Sequence, residues 1–141
     1  AEHTPEVFVT RNAMDQTGVD LCLDIHGDEI LHYCFGAAGL LGVPALTNAQ
    51  RSRFLAFQDA MIDACPDFQT EHGYPIPEPR AANLSLCANQ VAERFNAIAM
   101  TIEQPFQDNC LAPNPATGWS PQRSKQLGAE MLDAILAVCP K

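Results

Sequence analysis

Positive charge is scarce in this chain, which has 8 lysines and arginines against 17 aspartates and glutamates and a net charge of -9. Nucleic-acid phosphates and anionic membrane surfaces are bound through clustered positive charge. The few basic residues are instead scattered along the sequence. We therefore expect neither a nucleic acid nor a membrane as a partner.

Long apolar runs are also missing, since no run approaches the roughly 20 residues that span a bilayer. With 47% hydrophobic and 18% charged residues, the composition excludes a disordered tail. The length of 141 residues favours a single α/β domain over residues 1–141.

The cysteines lack the short CxxC spacing of zinc and redox motifs. They are Cys22, Cys34, Cys65, Cys87, Cys110 and Cys139. We expect reduced thiols, with Cys22 inside a strand and Cys87 and Cys139 on apolar helix faces. Secretion with three disulfides is the alternative, but the chain has no signal-peptide pattern and is rich in core residues for a disulfide scaffold. Reduced thiols favour the cytoplasm.

Helical and strand patterns alternate along the chain. Helices are predicted from Pro5 to Gly18, over 47–65, from Asn83 or Ser85 to Phe95, and over 120–138. Strands are predicted over 19–26, 31–35, 67–74 and 97–102. This alternation predicts a three-layer α/β/α sandwich with a mixed, mostly parallel sheet.

The stretch 24–29, with the sequence DIHGDE, places a histidine and three carboxylates at the end of the first predicted strand. In open α/β sheets, ligands bind at this edge. Side chains alternate along a strand, so Asp24, His26 and Asp28 should share one face. An imidazole beside carboxylates is a common pairing around zinc. A solvated or hydrogen-bonded histidine is the alternative.

A second acid-base group, Glu103, ends the apolar strand over 97–102. If the two strands are neighbours, His26 and Glu103 share one edge of the sheet. Burial would raise the pKa of Glu103 and suit it to proton transfer at neutral pH. The alternative is a carboxylate that is satisfied by Arg94, Arg80 or backbone donors.

Several segments resemble the zinc carboxypeptidases, specifically their bacterial cytosolic-carboxypeptidase-like branch. The segments are FVTRNAM (8–14), DLCLDIHGDE (20–29), DFQTEHGY (67–74), NQVAERF (89–95) and MTIEQPF (100–106). The similarity extends over almost the whole chain. The Asp-x-His-Gly and Thr-x-Glu segments are fairly specific together, in this order and each at a strand end, and weak apart.

The resemblance implies a metal-dependent hydrolase that removes C-terminal residues from peptides. His26 would be the third zinc ligand. Glu103 would be the general base that activates the metal-bound water and later protonates the leaving amine. The zinc would lower the pKa of its water and polarise the scissile carbonyl.

The resemblance also suggests supporting residues. Asp24 and Asp28 could orient His26, with solvated or capping roles as the alternative. Tyr74 could be a mobile phenol near the substrate, although the proline-rich loop around it offers a structural explanation. His72 and Glu71 form the only other metal-like pair.

Part of the family's pattern is missing from the sequence. Such enzymes take their first two zinc ligands from an upstream His-x-x-Glu motif, and an upstream Asn-Arg pair binds the substrate's terminal carboxylate. His3 and Glu6 have the right spacing but leave no room for a preceding sheet, and we treat the match as coincidence. The chain thus resembles the C-terminal half of a catalytic domain. We expect it to be inactive alone and to hold zinc weakly.

Two interpretations follow. The first is part of a zinc carboxypeptidase, and the second is a non-catalytic α/β module that binds a peptide or a partner chain. A partial domain should expose a strand edge and apolar surface, which predicts a homo-oligomer. The alternative is a complete domain whose edge is protected by its proline-rich loops.

Overall fold

Residues 4–138, the part of the chain that the computed structural model describes, contain four α-helices and four strands. The helices are α1 (Pro5–Thr17), α2 (Asn48–Ala64), α3 (Cys87–Phe95) and α4 (Pro121–Val138). The strands are β1 (Leu21–Asp28), β2 (Cys34–Ala37), β3 (Phe68–Gln69) and β4 (Ile98–Pro105), and a short 3-10 helix covers Gly39–Gly42.

The strands form one mixed sheet in the order β1-β4-β2-β3. β1 runs parallel to β4, β3 runs parallel to β2, and β2 and β4 are antiparallel. β4 therefore has a hydrogen-bonded neighbour on each side, and most of its residues are buried. This arrangement confirms the α/β class and the mixed, mostly parallel sheet.

Helices lie on both faces of the sheet. On one face, the Cys87 side chain of α3 contacts Asp24 of β1. On the other, the ring nitrogen of Trp119 hydrogen-bonds both Gln104 of β4 and Ser124 of α4. The main core joins apolar residues of the helices and strands, including Phe54, Phe57, Met61, Met100, Ile102 and Leu127.

Two strand predictions were wrong in extent because side chains stabilise turns at these places. The predicted strand over 67–74 shrinks to Phe68–Gln69, since the Gln69 side chain accepts hydrogen bonds from the backbone of Glu71 and His72. The strand predicted over 31–35 begins only at Cys34, because the Asp28 carboxylate binds the amides that precede it. An Asx-type turn replaces the start of the strand.

The predicted bounds of the helices agree better with the structure than those of these two strands. α2 begins at Asn48, close to the predicted start, and Thr47 caps it by accepting a hydrogen bond from the Gln50 amide at 3.0 Å. The third helix begins later than predicted, at Cys87. Two large apolar residues of α2, Leu55 and Ile62, are 40% and 44% exposed and lie away from the core.

The five cysteines in the described residues are free thiols, as the sequence predicts, whereas the predicted helix-face position of Cys139 lies outside those residues. His3 of the coincidental motif also lies outside them. Over residues 4–138, no helix is both long and apolar enough to cross a membrane.

Adjacent residues of α2 provide a matched test of this packing. Phe54 is fully buried, whereas Leu55 is 40% exposed. Replacing Phe54 with alanine should lower the free energy of unfolding by about 3–5 kcal/mol through lost burial and a residual cavity. Leu55→Ala should cost less than about 1 kcal/mol. Urea denaturation followed by circular dichroism measures both, and equal losses would contradict the packing of α2.

Candidate active site at the ends of β1 and β4

The two acid-base residues singled out in the sequence lie side by side. His26 and Glu103 are register partners on the parallel strands β1 and β4. Nδ1 of His26 is 3.9 Å from Oε1 of Glu103. The structure thus brings the two groups to one edge of the sheet, as the strand pattern predicted.

His26 lies between two carboxylates. Its Nε2 is 3.1 Å from Oδ1 of Asp24, and its Nδ1 faces Glu103. The imidazole side chain remains 53% exposed. One ring nitrogen could therefore bind a metal while the other keeps a carboxylate partner, which is the usual arrangement of metal-binding histidines.

Glu103 is almost fully buried, with 5% of its surface exposed. Burial raises the pKa of its carboxyl group above the ordinary value, and the charge of Asp28 adds to this increase. His26 and the hydroxyl of Tyr74 oppose the increase without cancelling it. Arg94, which the sequence offered as a partner for Glu103, instead pairs with Asp15 at 2.6 Å.

Asp28 does not orient His26. Its Oδ1 accepts hydrogen bonds from the backbone amides of Ile30 and Leu31, both at 2.7 Å, and its Oδ2 accepts one from the hydroxyl of Tyr74. Burial favours the neutral acid, but these hydrogen bonds outweigh it and lower the pKa of Asp28. The capping alternative from the sequence therefore describes Asp28, and its contact with Tyr74 was not foreseen.

The hydroxyl of Tyr74 lies beside both Asp28 and Glu103. Burial and the hydrogen bond to Asp28 raise the pKa of Tyr74 above its ordinary value. The ring packs edge-on against Phe35, with ring centroids 5.1 Å apart. Phe35 is the register partner of Glu103 on β2. Sequence reasoning missed Phe35, because its position beside Glu103 depends on a strand register that one sequence does not reveal.

His72 and Glu71, the second metal-like pair, contact groups of a turn. His72 stacks on Tyr33, with ring centroids 4.3 Å apart. The backbone amides of Glu71 and His72 both donate to the side chain of Gln69. This pair therefore belongs to a turn that precedes Tyr74.

The described residues do not complete a zinc site by themselves. Over 4–138, no three histidine, cysteine, aspartate or glutamate side chains converge to hold a metal ion. A catalytic zinc usually takes three protein ligands and a water. His26 offers one exposed imidazole, so it could serve as one member of such a set.

Solved metallo-carboxypeptidases have the same fold as this chain. The enzyme from Pseudomonas aeruginosa, solved with (2-guanidinoethylmercapto)succinic acid, matches 98% of the chain at 43% identity with a TM-score of 0.91. The metallo-carboxypeptidase from Burkholderia cenocepacia matches 97% at 41% identity with a TM-score of 0.88. The chain has the fold of a partial metallo-carboxypeptidase domain.

The match to carboxypeptidases covers only part of the longer proteins. The chain spans 36% of the length of both solved enzymes. An uncharacterized protein of Zymomonas mobilis is 48% identical over 137 residues, which are 97% of this chain and 36% of that protein. No family model matches the chain.

The raised pKa of Glu103 predicts a pH-dependent stability effect. The folded protein binds the proton of the Glu103 carboxyl group more tightly than the unfolded chain does. The free energy of unfolding should therefore fall as the pH rises from 4.5, the ordinary pKa of glutamate, through the higher pKa of Glu103 in the folded protein. Replacing Glu103 with glutamine should therefore increase the free energy of unfolding at pH 7, with a smaller effect at pH 4.

Urea denaturation at the two pH values measures the difference. Glu78→Gln is the control, because Glu78 is exposed and the substitution is chemically identical. Its effect should be small at both pH values. A Glu103→Gln variant that is less stable than the parent at pH 7 and equal to it at pH 4 would contradict the predicted direction.

Proposed function

We propose that this chain is the part of a zinc carboxypeptidase that carries one metal ligand, His26, and the general base, Glu103. The enzyme would hydrolyse the C-terminal peptide bond of peptides. The observation that carries this proposal is the pairing of His26 with a buried Glu103 in register on two parallel strands. The likeness to metallo-carboxypeptidases over almost the whole chain supports it.

Glu103 has the properties that a proton-transfer group needs. A general base works best when its pKa lies near the operating pH. Burial moves the pKa of Glu103 upward from the ordinary value of a carboxyl group, towards neutrality. In the proposed reaction, Glu103 takes a proton from the attacking water and returns it to the leaving amine.

Asp24 would act on His26 rather than on the substrate. Its carboxylate accepts a hydrogen bond from Nε2 of His26 at 3.1 Å. This contact favours the tautomer with its proton on Nε2, which leaves Nδ1 as the nitrogen available to a metal. The lone pair of Nδ1 would then be directed to the side of the imidazole on which Glu103 lies.

The remaining zinc ligands would come from outside these 141 residues. Two facts support this part of the proposal: residues 4–138 contain no three-ligand group, and the chain spans 36% of the length of the solved enzymes. The isolated chain should accordingly lose zinc on dialysis and be inactive.

The second candidate is a non-catalytic module that binds a peptide or a partner chain. The lack of a three-ligand group in the described residues favours it. In that case, His26 and Glu103 would be polar residues of a binding surface, and proton transfer by Glu103 would not matter.

A chimaera separates the two candidates. This chain would replace the matching 36% of the Pseudomonas aeruginosa metallo-carboxypeptidase, whose fold it shares at a TM-score of 0.91. We expect the chimaera to bind zinc and to release C-terminal residues from peptides. Glu103→Gln should reduce kcat/KM by about 10²- to 10⁴-fold with zinc retained, because it removes the proton acceptor.

The controls use the same chimaera. His26→Ala should lower the zinc content, measured by metal analysis after dialysis, while Glu78→Gln should change neither zinc content nor activity. A chimaera that binds zinc but is inactive, or that keeps full activity with glutamine at position 103, would contradict the proposed function and favour the module.

We also propose that the isolated chain self-associates as a homo-oligomer. The protein's compartment would be the cytoplasm, which its free thiols favour. Among residues 4–138, β1 pairs only with β4, so no described strand covers its other edge, where strand addition could occur. Helix α1 has no buried residue, and it exposes Val7, Phe8 and Val9.

Light scattering should therefore give a mass above the 15.3 kDa of one chain. A proline at Ile25, an exposed residue of β1, should reduce association by blocking strand addition. A monomer at high concentration that binds no hydrophobic dye would contradict this proposal.

A further inference from the structure

Asp28 and Tyr74 make a contact that the proposed proton transfer does not use. The hydroxyl of Tyr74 donates to Oδ2 of Asp28 across 46 positions of sequence. The Tyr74 residue is 47% exposed, whereas Asp28 is 5% exposed. An exposed tyrosine is thus attached at its hydroxyl end to a buried carboxylate.

The acceptor is held in a fixed orientation by the backbone. Oδ1 of Asp28 accepts from the amides of Ile30 and Leu31, both at 2.7 Å. Rotation of the carboxylate would break these two hydrogen bonds. Oδ2 therefore remains directed at Tyr74, and hydrogen bonds to an ionised acceptor are stronger than those between neutral groups.

The loop that carries Tyr74 is also shaped for this contact. The Gln69 side chain closes the preceding turn, with Nε2 donating to the carbonyl of His72 at 2.8 Å. Gly73 then passes close to Phe35, where an added Cβ would lie 2.7 Å from the ring. The Tyr74 ring packs edge-on against the same phenylalanine. Two ring contacts and one hydrogen bond thus determine where the hydroxyl lies.

We propose that Asp28 is a positioning residue that holds the hydroxyl of Tyr74 beside the Glu103 carboxyl group. Without the Asp28 carboxylate, Tyr74 would keep its edge contact with Phe35 and its proximity to Glu103 but would lose its fixed acceptor, and the exposed phenol could rotate away. The catalytic use of this arrangement rests on the proposed function, but the positioning itself is a property of this chain.

The test observes Tyr74 directly in the isolated chain. The sequence has two tyrosines, so Tyr33→Phe leaves Tyr74 as the only ¹³C-labelled tyrosine in an NMR titration. The Tyr74 signal should titrate above the value of about 10 for an unperturbed tyrosine. Asp28→Asn should lower that midpoint by about one pH unit or more, because it removes the charge that stabilises the protonated phenol.

Glu29→Gln is the matched control, since it removes one charge from an exposed neighbouring residue. It should shift the midpoint less than half as far as Asp28→Asn does. A folded Asp28→Asn variant with an unchanged midpoint would overturn the proposal. If that variant does not fold, the titration of Tyr74 in the chain with Asp28 intact is the test. A midpoint of about 10 in that chain would rule out the contact.

Hydrogen exchange tests whether Asp28 holds Tyr74 in place or Tyr74 holds Asp28. Tyr74→Phe should leave the amides of Ile30 and Leu31 protected, because Asp28 still accepts from them. Loss of their protection would mean that Tyr74 holds Asp28 in place, contrary to the proposal.

In the active chimaera, the phenol of Tyr74 would lie near the substrate, as the resemblance to the zinc carboxypeptidases implies. Asp28→Asn and Tyr74→Phe should therefore each lower kcat/KM, and kcat/KM of the double variant should be no lower than that of Tyr74→Phe alone. Additive losses would reject action through Tyr74. The NMR result does not require hydrolysis, so failure of the proposed function and failure of the positioning can be told apart.

Discussion

The parallel pairing of β1 with β4 is the constraint on which the rest of the site depends. This pairing makes His26 and Glu103 opposite residues with side chains on the same face of the sheet. Because side chains alternate along a strand, a slip of one residue would turn one of the two side chains to the other face. The hydrophobic residues of β4 resist such a slip, since Met100 and Ile102 are fully buried in the core.

The same pairing explains the electrostatics of the site. It places the carboxylates of Asp24, Asp28 and Glu103 on one face, with His26 among them. Asp28 gains three hydrogen bonds and its pKa is lowered, whereas burial dominates at Glu103 and its pKa is raised. Neighbouring carboxyl groups whose pKa values are moved in opposite directions are suited to different tasks. Asp28 stays ionised and holds its neighbours, and Glu103 is the group suited to exchanging a proton.

Much of this arrangement could be predicted from the sequence, because it depends on short-range patterns. Short apolar runs identified β1 and β4, and the position of His26 and Glu103 near their ends followed directly. The contact between Asp28 and Tyr74 could not be predicted, since it joins residues 46 positions apart through a loop. The strand predicted over 67–74 failed for a related reason. Its pattern fits a strand, but the side-chain amide of Gln69 stabilises a turn instead.

The register of β1 against β4 is the most direct test of this account. An NMR spectrum of the isotope-labelled chain can measure nuclear Overhauser effects between the backbone protons of the two strands. The account predicts effects that link His26 to Glu103 and Asp24 to Thr101, in parallel pairing. Effects displaced by one residue, or β1 paired with a strand other than β4, would contradict it.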